Sequence, residues 1–392
     1  MSDKDTEIRM TRRGLLATAG FVTAAVGLGP ASAAAGEAKV GAKVKAANAD
    51  AFPPLAPFKF SLAKSNNRWD GPGGTAREVN TSNFPLSKSI AGVLMRLQPG
   101  ALRELHWHGI AAEWAYVIKG HVMTTIVSPN GTVQKNEFGP GDTWFFPRGY
   151  GHALQGAGPG ECEFLLGFDN GDFSEFGTFS ITDWISKTPR HIVERNLQLP
   201  QSVVASLPQR EVYIVQGPVP DPKAPWRNAS LEPSQKDHRF RMGAFEPRRF
   251  PGGEERIVTA KEFPIQGTLS AARMDLEPGA LREMHWHPNS DEWQYYTKGR
   301  ARVGMFGAHG RVAQAEFGPG DVCFIPQGFG HWVEQLGGEP TQLLILFNNP
   351  DYEEISLSQW LASNPAPLLA ENFGVTEEVI AKLPKAALGI LK

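Results

Sequence analysis

From Phe58 onward the chain writes one pattern twice, in register over most of a domain's length. Gly73-Gly74 and Gly252-Gly253, Phe84-Pro85 and Phe263-Pro264, and Pro99-Gly100 and Pro278-Gly279 all stand 179 residues apart. Phe138-Gly-Pro-Gly-Asp142 and Phe317-Gly-Pro-Gly-Asp321 keep the same spacing. A continuous repeat of this length means two copies of one fold, and 392 residues are enough for two separate cores.

The densest part of the repeat is Gly100-Ala-Leu-Arg-Glu-Leu-His106-Trp-His108, followed by Glu113. It recurs as Gly279 to His287, followed by Glu292. Histidines one residue apart on an extended segment share a face, because strand side chains alternate. A carboxylate five residues on, past a turn, can enter the same cavity. A single His-x-His reads most simply as two hydrogen-bonded imidazoles; two ungapped copies argue for a divalent metal site.

A second cluster completes each set. Gly141 to His152 contains Pro147-Arg-Gly149 and recurs as Gly320 to His331 with Pro326-Gln-Gly328. Pro-x-Gly makes a tight turn, so His152 and His331 begin a new strand facing the earlier one. Three imidazoles and one carboxylate leave two adjacent octahedral positions open, and open positions mean chemistry rather than a closed structural site. The ligand types do not separate manganese from iron.

Each copy reads as short strands between turn signals: Leu94 to Leu97, Glu113 to Lys119 and Val122 to Val127, with Ser128-Pro-Asn-Gly131 as a hairpin turn. The pattern predicts an all-β fold of two tandem double-sheet (jelly-roll) barrels. Helical period appears only at the end of each copy, at Thr182 to Ile185 and Ser202 to Pro208, then at Ser358 to Leu361 and Glu378 to Pro384.

The divisions are an export signal at 1–33, an arm at 34–57, the first barrel with its metal site and lid at 58–208, a Pro-rich linker at 209–236 and the second barrel at 237–392. Thr11-Arg12-Arg13-Gly14-Leu15-Leu16 leads into an Ala/Gly-rich apolar run ending near Ala31-Ser32-Ala33, resembling a twin-arginine export signal with its cleavage site. That run is too short and too glycine-rich to span a membrane, so the expectation is an exported, periplasmic or extracellular protein without a membrane span. A net charge of -2 gives nucleic acid no support as a partner. The two cysteines, Cys162 and Cys323, allow no disulfide framework; buried thiols or one bridge remain.

With both motifs in both halves, the chain resembles a bicupin of the cupin superfamily, over roughly residues 58 to 392. Gly156 and Gln335 stand where that superfamily usually has asparagine four residues past the last histidine. Within bicupins, Arg103-Glu-Leu-His-Trp-His108 followed by Glu113-Trp-Ala-Tyr116 is similar to the oxalate decarboxylase family. That resemblance implies decarboxylation of oxalate to formate and carbon dioxide, two manganese ions per chain, dioxygen as co-catalyst, and a homotrimer or hexamer. It implies His106, His108, Glu113 and His152 as ligands of one metal and His285, His287, Glu292 and His331 of the other. It also assigns Arg103 and Arg282 to the substrate, with Arg103 catalytic in the first barrel.

Strand parity disagrees about Arg103. Three residues before His106, a regular strand would turn it away and turn Glu104 inward; the resemblance therefore predicts a bulge that re-aims it. The copies also differ by three residues: Phe168 and Phe347 stand 179 apart, Trp184 and Trp360 only 176. The extra residues fall within Phe173 to Thr178, either as a lid or as a neutral change of loop length. In the family the corresponding lid reads S-E-N-S-T and its glutamate is the acid; here it reads Ser174-Glu175-Phe176-Gly177-Thr178, which makes Glu175 the expected catalytic acid. Trp107 and Trp286 are expected to pack outside the barrels. The competing readings are an oxalate oxidase or other bicupin oxygenase, and a metal-free storage or binding bicupin.

Overall fold

The computed structural model describes residues 52–221, 223 and 236–392. The expected export signal and most of the arm lie outside the described residues, as does most of 222–235. Each copy forms two antiparallel sheets that close on each other as a jelly roll. In the first copy one sheet holds Leu102–Trp107, Gly151–Gly156, Val122–Val127 and Val133–Phe138, and the other holds Thr143–Phe146, Glu113–Lys119, Cys162–Phe168, Ala91–Leu97 and Gly74–Val79. The second copy repeats both orders, and the expected hairpin joins Val127 to Val133, with Gly131 N–H donating to Ser128 at 2.9 Å.

Hydrophobic patterning explains why the barrels sit back to back. Ala91–Leu97 and Cys162–Phe168 are apolar almost throughout, the signature of strands buried on both faces. Their inner side chains, such as Met95, Phe164 and Leu166, fill the first barrel. Their outer ones, Leu94 and Leu165, join Trp114, Trp293, Leu344 and Leu346 in a core shared by the two barrels. Emptying a position such as Trp114 or Trp293 there should cost about 3–5 kcal/mol. Close approach is why residues 92 and 167 are glycine: a Cβ on Gly92 would lie 2.6 Å from the Trp293 ring, and one on Gly167 would lie 2.2 Å from Leu346.

The barrels also trade edges. Lys59–Ser61 pairs with Asp321–Ile325 of the second barrel, and Arg239–Phe240 pairs with Thr143–Phe146 of the first. Assigning 58 onward wholly to the first barrel and 237 onward wholly to the second therefore divides these strands from the sheets they complete. Ile214–Val215, inside the expected linker, pairs with Leu102 and Arg103. The described end of the arm lies on the second barrel, where Phe52 stacks on His309 at 3.7 Å.

Three short helices follow each barrel: α1 Ile181–Lys187, α2 Arg190–Leu197 and α3 Gln201–Ser206, then α4 Leu357–Ala362, α5 Ala366–Phe373 and α6 Glu377–Ile380. Ser180 and Ser356 cap α1 and α4, each accepting a backbone N–H three residues on. The sequence pattern anticipated the outer helix pairs and missed α2 and α5 between them. Cys162 and Cys323 are both buried free thiols. No helix among the described residues is long and apolar enough to cross a membrane.

Candidate metal centres

Each barrel brings four predicted ligands together. His106, His108, Glu113 and His152 form one group and His285, His287, Glu292 and His331 the other, all buried, with their ligating atoms within 4.8 Å of one another. His106 lies opposite His152 across the Leu102–Trp107 and Gly151–Gly156 pair, and Glu113 opens the facing sheet. The Pro147-Arg148-Gly149 turn is closed by Tyr150 N–H to the Pro147 carbonyl at 3.1 Å. Gly149, at φ 82°, takes the left-handed conformation that glycine tolerates best, and its N–H donates to the His108 carbonyl at 3.0 Å. The turn thus fixes both the strand carrying His152 and the segment carrying His108.

The imidazoles are prepared as ligands. Nδ1 of His106 faces the Glu104 carbonyl at 2.6 Å, and Nδ1 of His152 faces Tyr150 at 2.9 Å. In the second barrel His285, His287 and His331 face the carbonyls of Glu283, Glu353 and Phe329 at 2.7, 2.7 and 3.0 Å. A proton held on Nδ1 leaves the Nε2 lone pair for a cation. His152 Nε2 and His287 Nε2 are buried without a hydrogen bond among the described residues, although they lie 3.3 and 2.8 Å from the glutamate oxygens. Burial, with Arg103 and Arg282 adding to it, holds His106 and His285 well below the usual imidazole range, so both are neutral. Burial alone would raise Glu113 and Glu292, but His152 and His331, together with His108 and His287, outweigh it and keep both ionised. Neutral nitrogen and anionic oxygen donors, with orphaned Nε2 atoms between them, fit a divalent first-row metal.

The conflict over Arg103 resolves as a bulge. Between His106 and Arg103 the strand advances three residues while its partner advances two, from His152 to Leu154. Arg282 to His285 repeats it against Val333 and His331. Arg103 is fully buried, donates to Glu175 at 3.0 Å and lies 3.9 Å above the Tyr213 ring. Glu104, which parity had aimed inward, instead accepts the Thr182 hydroxyl at 2.6 Å and the Tyr213 N–H at 2.8 Å, tying α1 and the returning chain to the barrel.

Glu175 is buried in a one-turn helix, Glu175–Gly177, and bridges the Arg103 guanidinium and the Tyr213 hydroxyl, each at 3.0 Å. It is near enough to act electrostatically on His108. The second barrel contains a matching set that the sequence reading missed: Glu354 accepts from Arg282 and from the Tyr352 hydroxyl. Its signal was available, since Glu354 stands 179 residues after Glu175. Tyr213 gave no signal, lying beyond the helices in the stretch read as linker. The second pocket has a free volume of about 10 Å³ and is lined by Arg282, Tyr352 and the metal ligands, with Glu255 as a further carboxyl. Trp107 and Trp286 do pack outside, on Phe179 and Trp184 and on Trp360 respectively.

A family model described as Cupin matches residues 60–205 and again 243–381. The chain is 38% identical over 339 residues to an oxalate decarboxylase of Bacillus subtilis (strain 168), covering 86% of each. It is 32% identical to an oxalate decarboxylase of Arthroderma benhamiae, covering 84% of this chain and 82% of that one. A solved Bacillus subtilis oxalate decarboxylase, studied for its Mn(II) centres, superposes with a TM-score of 0.81 at 36% identity, covering 87% of this chain and 90% of that chain.

Proposed function

The chain belongs to the bicupin oxalate decarboxylase family, and we propose that it is a manganese-dependent oxalate decarboxylase whose principal active site is in the first barrel. The observation that carries this reading is the buried Arg103–Glu175–Tyr213 set beside three imidazoles and a carboxylate. The reaction converts an oxalate dianion and one proton into formate and carbon dioxide.

His106, His108, Glu113 and His152 would hold the manganese, which, with dioxygen as co-catalyst, supplies the redox chemistry that weakens the carbon–carbon bond. Arg103 binds one end of the dianion: its Nε is a buried donor without a partner among the described residues, and a guanidinium matches a carboxylate edge to edge. A substrate carboxylate that takes over Arg103 leaves Glu175 buried with the Tyr213 hydroxyl. From there Glu175 is placed to hand a proton to the carbon left behind by carbon dioxide. The closed Glu175–Gly177 turn keeps water away during that transfer.

Arg282, paired with Glu354, would bind a carboxylate in the second barrel as Arg103 does in the first, and the second manganese would help to hold that barrel together. The N-terminal Arg12-Arg13 signal supports export to the periplasm or beyond, and the family resemblance implies a homotrimer or hexamer.

Labelled oxalate supplied to the manganese-loaded protein, with formate, carbon dioxide and peroxide measured on the same sample, tests the reading. Formate as the main product upholds it. Peroxide with two carbon dioxide molecules per oxalate would make the chain an oxidase, and no turnover would end the proposal.

A further inference from the structure

The segment carrying Glu175 is held by a second buried carboxylate, on the neighbouring strand Gly74–Val79. Glu78, only 7% exposed, accepts the Glu175 N–H at 3.0 Å and the Ser174 hydroxyl at 3.1 Å. Ser174 in turn accepts the Phe176 N–H at 3.3 Å, closing the turn. Arg68 pairs with Glu78 at 3.0 Å and lies 3.9 Å over the Phe176 ring. Phe176 is 59% exposed, so it is not a core anchor; the guanidinium is what its ring packs on. Beyond it, Gly177 closes the turn with its N–H on the Ser174 carbonyl at 2.8 Å, but a Cβ there would meet nothing within 4 Å, and Thr178 reaches His108 Nδ1 only at 3.4 Å.

We propose that Arg68, Glu78 and Phe176 are positioning residues that latch 174–176 over the first metal site, and that the strength of this latch sets the share of turnovers ending in formate rather than peroxide. The second half of the proposal rests on the oxalate reading above. Both outcomes balance: with Glu175 in place, oxalate dianion and one proton give formate and carbon dioxide. With the segment lifted, no acid meets the substrate carbon, and oxalate dianion, two protons and dioxygen give two carbon dioxide and one hydrogen peroxide. Dioxygen is then consumed as oxidant.

The second barrel shows why a latch is needed here. Its shorter loop places the Glu353 carbonyl on His287 Nδ1 at 2.7 Å, so that loop is tied to a metal ligand directly. The positions 179 residues after Arg68 and Glu78 are Pro247 and Ile257, which offer neither charge. The three-residue insertion in the first barrel gives up the direct tie, and the Arg68–Glu78–Phe176 contacts take its place.

The test uses the full-length, manganese-loaded protein and the variants Arg68→Ala, Phe176→Ala, Glu78→Gln and Arg68→Lys. Amide hydrogen exchange of the 174–178 peptide reads the latch. Products from labelled oxalate read its consequence, and metal content guards against a lost site. Arg68→Ala and Phe176→Ala should each raise exchange and the peroxide-to-formate ratio about two- to fivefold. Glu78→Gln should raise both about tenfold, and Arg68→Lys should fall back toward wild type. Unchanged exchange in both alanine variants overturns the latch. Faster exchange with an unchanged product ratio overturns its control of the outcome. A wild type that turns over no oxalate sinks the reaction, while exchange still decides the latch.

Discussion

In the first barrel the metal carboxylate Glu113 receives the Trp144 indole N–H at 2.7 Å; in the second, Glu292 receives the Gln294 amide at 2.6 Å, itself fixed by the Tyr296 hydroxyl at 2.7 Å. These donors come from one cross-strand pair of positions read in opposite senses. Ala115 faces Trp144 in one sheet, and Gln294 faces Cys323 in the other. Large donor with small neighbour has been traded for small neighbour with large donor. Exchanging only one member would orphan the carboxylate oxygen or overfill the space. The four ligands are therefore the constant of this fold, and their supports vary as matched pairs.

The acid-bearing loops differ in a more consequential way. Lifting the second loop would take the Glu353 carbonyl from His287, whereas the metal ligand that the first loop touches, His108, is met only by the long Thr178 contact. The first loop's tie to a metal ligand is thus the weaker of the two. This contrast supports the proposal that turnover belongs to the first barrel.

The sharpest way to break the comparison is to remove one metal carboxylate at a time. Glu113→Ala should abolish formate production, by about a thousandfold or more, while Glu292→Ala keeps most of it. Each should lose one manganese per chain by elemental analysis, and equal activity losses would erase the distinction between barrels. Next in size, Glu175→Gln should reduce formate production about 10²–10⁴-fold and shift product toward peroxide, whereas Glu354→Gln should leave the product ratio unchanged in a coupled peroxidase assay. If the Glu354 variant shifts the ratio as far, the second site is turning over too.

Smaller effects separate the supports. Trp144→Phe and Gln294→Leu should each weaken manganese binding about 10–100-fold at their own site only, which competition with a chelator would resolve. Acidification should then empty the sites in order. A metal needs an unprotonated Nε2, and a raised imidazole takes its proton at a higher pH. For His287, burial acts downward, but Glu292 outweighs it and holds the ring above the usual value; for His108 burial prevails over Glu113 and holds the ring below it. The second barrel should therefore release manganese at a higher pH than the first, seen as two steps on stepped dialysis. A single step would show that the Glu292 pairing with His287 does not set the order of release.

Much of this was legible before any coordinates. Spacing gave the eight ligands because a strand's period of two and a Pro-x-Gly turn leave side chains little choice of face. Arg103 was legible only against its own parity, because a bulge carries no residue signature of its own. Both halves of the latch escaped notice: Arg68 and Glu78 lie about a hundred residues before Phe176, and nothing local links them. Tyr213 and the paired supports around Glu113 and Glu292 are likewise long-range. Glu354 was the avoidable omission, being readable from the repeat alone.

The traded edge strands bear on how the molecule comes apart. With Lys59–Ser61 completing one barrel and Arg239–Phe240 the other, neither half can melt without baring a sheet border on its neighbour. Calorimetry should record one heat-absorption peak for two barrels. A gene cut between residues 208 and 237 should yield fragments that precipitate apart and recover only when produced together.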